Sequence, residues 1–137
     1  MTNYSIWLSE NSHAYFPAEA IFSGYYKNGE TNMDFPHCMV IVKGEGHNIL
    51  IDTGVDPEDP ICVNYCSMYN FQNLHSPAYI LNKVGLKPED IDTVILTHAH
   101  WDHMGAVNCY PNAHFYIQKK EINTWIDYLS QSERYAY

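Results

Sequence analysis

Hydrophobic and polar positions along this chain change period several times, and each change marks an element. Residues His37 to Val42 form an apolar, partly β-branched run. A turn of small and charged residues follows at Lys43-Gly44-Glu45-Gly46, and Asn48 to Ile51 is apolar again, which predicts a hairpin. Thr93-Val94-Ile95-Leu96-Thr97 has the same β-branched character and predicts a short buried strand. His114 to Gln118, after the turn at Pro111-Asn112, predicts another. Nearer the amino terminus, Ser5-Ile6-Trp7-Leu8 and Ala20-Ile21-Phe22-Ser23 read as two short strands, with a turn at Lys27-Asn28-Gly29-Glu30.

Two stretches carry the helical period. Ser76-Pro77 is a helix start, a capping hydroxyl followed by proline at the first helical position, and Gly85 is a stop. Ile80, Leu81 and Val84 between them share one side, which a sheet face would cover. Ile122, Trp125, Ile126 and Leu129 recur at i, i+3, i+4 and i+7, the pattern of an amphipathic helix lying on a sheet. From Val55 to His75, Pro57, Pro60 and several asparagines break any period, so this segment is expected to be an irregular surface excursion. Its Tyr65, Tyr69 and Phe71 either pack that loop onto the core or line an apolar substrate pocket. No repeat, low-complexity tract or linker divides residues 1–137, and a single α/β domain is expected.

Composition narrows the function classes. With 137 residues, 46% of them apolar and 15% aromatic, the chain can build one globular core. No apolar run is long enough to cross a membrane, and Met1 to Glu10 lacks a basic segment followed by an apolar one, so neither a membrane span nor a secretory signal is expected. Cys38, Cys62, Cys66 and Cys109 form no dense framework and suit a reducing, cytoplasmic compartment. Cys62-x-x-x-Cys66 reads as two small buried residues, since no partner ligands flank it. A net charge of −9 with only seven Lys and Arg argues against a nucleic-acid phosphate surface and shifts the weight toward small substrates.

The densest chemistry lies just after the strand predicted at Thr93–Thr97. His98-Ala99-His100-Trp101-Asp102-His103 packs three imidazoles and one carboxylate into six consecutive residues. Both groups are ordinary ligands of zinc and related divalent ions, and open catalytic zinc sites use about three protein ligands. Four ligand types this close are too many for one such site. The simplest arrangement puts His98 and His100 on one metal and Asp102 and His103 on a second, sharing a water or hydroxide: a two-metal hydrolytic centre. The spacing i, i+2, i+4, i+5 does not place all four on one helical face, so a turn is expected to make them converge. A lone histidine beside a strand is normally structural, but packing alone does not explain three imidazoles around a carboxylate.

This His-x-His-x-Asp-His pattern after a strand resembles the signature of the metallo-β-lactamase superfamily. Asn48-Ile49-Leu50-Ile51-Asp52-Thr53-Gly54 is similar to that superfamily's strand-Asp-Thr-Gly segment, whose aspartate supports the metal site from behind its ligands. Asp52 holds the matching position. A carboxylate at a strand end can accept the free N–H of a ligating imidazole, although Asp-Thr-Gly by itself also suits a simple turn. The resemblance runs from about His37 onward and implies the amino-terminal half of an αββα sandwich. It is nearest in appearance to N-acyl homoserine lactonases and similar lactone hydrolases.

The resemblance implies a binuclear hydrolase that opens a lactone, ester or amide of a small substrate. It would use two divalent metal ions, zinc first and iron or manganese as alternatives, with Asp102 near the attacking oxygen as a proton shuttle. Substrate-binding residues are not readable. A further His, a bridging Asp and a last His belong to the family's second half, and none of His13, His37, His47, His75 or His114 stands where they would. All five are expected to be surface or structural. A second polypeptide, or a missing segment, is therefore expected to complete both the sandwich and the ligand set. A non-catalytic metal-binding or regulatory subunit, and a phosphodiesterase or nuclease of the same superfamily, are the competing readings.

Overall fold

The alternation on either side of the Lys43–Gly46 turn sets up the middle of a six-stranded sheet. In the computed structural model, which describes residues 3–18, 22 and 32–132, the strands are β1 (Tyr4–Pro17), β2 (Asn32–Gly44), β3 (His47–Ile51), β4 (Phe71–Gln72), β5 (Thr93–Leu96) and β6 (His114–Ile117). Their spatial order is β4-β1-β2-β3-β5-β6. β1, β2 and β3 are antiparallel, whereas β5 and β6 add to β3 in parallel. The predicted hairpin forms, and its turn places Glu45 and Gly46 at φ 53° and 81°, the left-handed pair that a tight turn between twisted strands requires. β1 is far longer than the four residues predicted. The strand predicted at Ala20–Ser23 and the turn at Lys27–Glu30 fall outside the described residues, Phe22 excepted.

The segment from Val55 to His75 is not irregular. It contains α1 (Pro60–Met68) and the short edge strand β4. Asp59 caps α1, its carboxylate accepting from the amides of Ile61 and Cys62, and Pro60 occupies the first turn. This start signal is the same kind as Ser76-Pro77. It was overshadowed because only Cys62 and Cys66 turn inward, one turn apart, and no apolar stripe marks the helix. α2 (Pro77–Asn82) begins where expected, with the Ser76 hydroxyl accepting from Tyr79 N, and Gly85 ends the segment at φ 71°.

Period-two alternation gives the sheet two unlike faces. On one, Met39, Ile41, Leu50, Val94 and Leu96 are buried beneath α2 and the following turns, packed with Ile80, Leu81, Leu86, Ile91 and Tyr110. On the other, register brings Ile6 beside Val42, Leu8 beside Val40, and Ile51 beside both Val40 and Ile95. This second face is apolar yet open: Ile6 is 68% exposed, Leu8 72% and Tyr116 59%. α4 (Lys119–Ser132) forms as predicted but does not bury its apolar stripe on the sheet, since Ile126 is 58% exposed. Trp125 turns instead to the histidine loop. No helix among the described residues is long and apolar enough to cross a membrane.

The pairing of β1 with β2 slips by one residue between Glu10 and Ser12, leaving Asn11 as a bulge whose side chain is fully buried. Its carboxamide donates to His75 O at 2.6 Å and Val55 O at 3.4 Å and accepts from Val55 N at 2.9 Å. Gly54, at φ 68°, lies so close that a Cβ would come within 2.6 Å of Asn11 Cγ. One buried amide thus fastens the chain just past Asp52 to the sheet. Replacing Asn11 with Leu is expected to strand these partners and cost about 2–3 kcal/mol in urea unfolding; an unchanged midpoint would show that the bulge does not hold this segment.

Candidate functional site

The site forms where β3 and β5, side by side and parallel, both end. Asp52 follows β3 and Thr97-His98 follows β5, so their proximity follows directly from strand pairing. Asp52 takes the left-handed conformation, φ 58°, which Asp tolerates better than most residues. Its own amide donates to Ile95 O at 2.9 Å, and its side chain turns back over the end of β5.

Thr97 then donates to that carboxylate twice, from its amide to Oδ1 at 2.8 Å and from its hydroxyl to Oδ2 at 2.8 Å. His103 Nδ1 meets Oδ2 at 2.9 Å. The Thr97 hydroxyl, whose hydrogen points to Asp52, accepts from His98 Nδ1 at 3.0 Å. In these contacts His98 and His103 each donate from Nδ1, and their Nε2 atoms meet His100 Nδ1 and Asp102 Oδ2 respectively.

The chain between them bends as the spacing demanded, though part of it is helical. His98 to His100 lies in neither strand nor helix, His100 itself being extended, and α3 (Trp101–Met104), a single helical turn, carries Asp102 and His103. Thr53 locks the far end: its amide and hydroxyl donate to His103 O at 2.7 and 3.0 Å. A Cβ on Gly105 would meet Trp101 O at 2.5 Å and Cys62 Sγ at 2.8 Å, so only glycine allows this approach.

All five predicted site residues are brought together. His98 Nε2 faces His100 Nδ1 at 2.9 Å, and Asp102 Oδ2 faces His103 Nε2 at 3.5 Å. Donors around a tetrahedral divalent ion, bound at ~2.0–2.2 Å, lie roughly 3.4 Å apart. The Asp102–His103 separation is close to that value, whereas His98 and His100 are at hydrogen-bond distance and would have to part to take an ion between them. Among the described residues, no three His, Cys, Asp or Glu side chains surround a common point.

Electrostatics follow from the contacts. Desolvation works to raise the pKa of Asp52, but hydrogen bonds from His103 and Thr97 outweigh it and hold the carboxyl below its ordinary value. Desolvation likewise lowers His103, but the bond to Asp52 and the charges of Asp102 and Asp52 raise it overall. His98 is lowered, by burial first and then by His103 and His100. Cys62 and Cys66 are buried as expected, and burial pushes the Cys66 thiol up to about 11.

One residue classed by sequence as merely structural is not remote. His37, on β2, places Nε2 3.5 Å from Asp102 Oδ2 and stacks on Phe71 with ring centroids 4.2 Å apart. Among the described residues its buried Nδ1 has no hydrogen-bond partner, and desolvation lowers its pKa. Strand alternation was the available signal: Met39 and Ile41 point to the core, and His37 continues that face. His13, His47 and His75 keep surface roles beside Glu10, Asp92 and Tyr79. His114, on edge strand β6, is exposed.

Comparison with known proteins identifies the family and the fold. The sequence profile of the metallo-beta-lactamase superfamily matches residues 32–125. The chain belongs to that superfamily. It is 27% identical over 111 residues to the N-acyl homoserine lactonase AiiB of Agrobacterium fabrum, a match spanning 74% of this chain and 39% of that one. Among solved structures, it resembles a probable metal-dependent hydrolase from Staphylococcus aureus (TM-score 0.78, 20% identity, 90% of this chain and 50% of that one). It also resembles an N-acyl homoserine lactone hydrolase with N-hexanoyl-L-homoserine at its catalytic metal centre (TM-score 0.71, 21% identity, 90% and 52%). The chain thus has the superfamily's fold and spans about half the length of these structural relatives.

Replacing Asp52 by Asn presents an amide N–H to His103. Imidazole ¹⁵N NMR is expected to show His103 protonated at Nδ1 in the wild type and shifted toward Nε2 in the variant, with a stability loss of about 1–3 kcal/mol. An unchanged tautomer would show that Asp52 does not set it.

Proposed function

We propose that this chain is the metal-holding half of a binuclear hydrolase that opens a lactone, ester or amide of a small substrate. The observation that carries this reading is the pairing of donors: His98 Nε2 with His100 Nδ1, and Asp102 Oδ2 with His103 Nε2, each against a fixed scaffold. His98 and His100 would hold one divalent ion and Asp102 and His103 the other, zinc being the ion that imidazole and carboxylate suit best here. Ions so held would polarise a substrate carbonyl and would lower the pKa of water toward ~7. Asp52 keeps His98 and His103 in the ligating tautomer, and His37 and His103 flank Asp102, the candidate for passing a proton to the leaving group.

A hydrophobic substrate portion is supported by the rings beside the loop. Trp101 stacks with Tyr65 at 5.3 Å and with Tyr69 at 5.9 Å, forming a partly exposed aromatic shelf next to Asp102. The acidic balance favours such a substrate over a phosphodiester. Lactonase names among the relatives agree with lactone opening, and substrate selection rests on loops that vary within a fold.

Four donors are few for two ions, and the open apolar face of the sheet needs a cover. Both favour a second αβ layer carrying the remaining ligands, supplied by a second polypeptide or by a further segment of chain. Light scattering with mass spectrometry checks this: a particle containing only this polypeptide as a stable monomer rules out the separate partner.

Metal analysis of the assembled protein is expected to find two divalent ions, with hydrolysis of lactones exceeding that of phosphodiesters and lost on chelation. His100→Ala should abolish turnover, and Asp52→Ala should weaken metal affinity about 10–100-fold. A metal-free, inactive assembly would end the proposal, and a phosphodiester preference would redirect it to the nuclease branch.

A further inference from the structure

His98 and His103 each have a ring nitrogen tied into the Asp52 network, but among the described residues His100 has no such tie. Its Nδ1 faces only His98, and its backbone begins α3 without a side-chain cap. Something else must place it. Ala99, between the two histidines, belongs to no strand or helix, yet its amide is not left to solvent: it donates to Glu121 Oε1 at 3.0 Å. The indole Nε1 of Trp125 donates to the same oxygen at 2.9 Å. The Trp125 ring stands edge-on to His100, with centroids 5.6 Å apart.

Glu121 and Trp125 are four residues apart on α4, so one helical face presents the carboxylate and the indole together. That explains why Trp125 turns to the histidine loop. We infer that Glu121 is a positioning residue: from the first turn of α4 it clasps the backbone between His98 and His100, and with Trp125 it sets His100 for metal binding. The inference rests on the metal reading proposed above. What it requires of Glu121 is an acceptor oxygen and not a charge, so glutamine should serve in its place.

The test compares the wild type with Glu121→Gln and Glu121→Ala, each assembled with whatever partner the wild type has. Zinc is titrated against a chromophoric chelator, and exchange of the Ala99 amide is followed in the metal-free proteins. The clasp predicts that E121Q binds zinc within about threefold of the wild type, while E121A binds about tenfold or more weakly. Zinc binding by E121A equal to the wild type would overturn it, as would E121Q as impaired as E121A. If the wild type binds no zinc, the metal reading fails and amide exchange decides the clasp alone. Ala99 protected in the wild type and E121Q but released in E121A supports it, and equal exchange in all three overturns it. Should E121A not fold, free-loop exchange at Ala99 in the wild type overturns the clasp, and protection shared with E121Q supports it.

Discussion

One carboxylate holds the site together. Asp52 is 6% exposed, and removing a charge from water is costly unless its oxygens are satisfied. Here both are: Thr97 donates to them by amide and hydroxyl, and His103 donates by imidazole. These contacts join the ends of β3 and β5 to the helical turn of α3. Charge-assisted bonds of this kind are stronger than neutral ones, and they fix which nitrogen of each histidine is free. The arrangement depends on the backbone around it. Asn11, from the bulge on β1, and Gly54, in the left-handed region, determine where the chain goes immediately after Asp52.

The sheet that carries this carboxylate is finished on one side only. Strand alternation makes both faces apolar, as in proteins where a sheet is sandwiched between layers. α2 and its neighbouring turns bury Met39, Ile41, Leu50 and Val94, while Ile6, Leu8 and Ile95 on the opposite face remain open. The histidine loop lies at the ends of these strands, beside the open face. The chain spans 50% and 52% of the two structural relatives described.

Around the loop, aromatic rings pack the helical turn of α3 onto the chain beneath it. Trp101 anchors the small second core of Val55, Cys62, Cys66 and Phe71 while stacking with Tyr65 and Tyr69 toward solvent. Packing onto the core accounts for Phe71. His37 packs against Phe71 while its Nε2 lies beside Asp102.

The amino-acid sequence by itself determined what depends on local period and local chemistry. The Lys43–Gly46 hairpin, the cap at Ser76-Pro77, the strand before the histidines and the run from His98 to His103 were all legible, since each signal lies within a few residues. α1 was legible in principle through Asp59-Pro60 but was hidden by prolines and asparagines that read as loop. Tertiary structure decided the rest. The length of β1 and its bulge depend on pairing with β2, and the approach of His37 to Asp102 joins positions 65 residues apart in sequence. The amphipathic period of α4 correctly indicated a helix, but not that Trp125 and Glu121 would turn to the backbone at Ala99. Periodicity reports which side chains share a face, whereas what that face meets is set by strand order and by hydrogen bonds between distant segments.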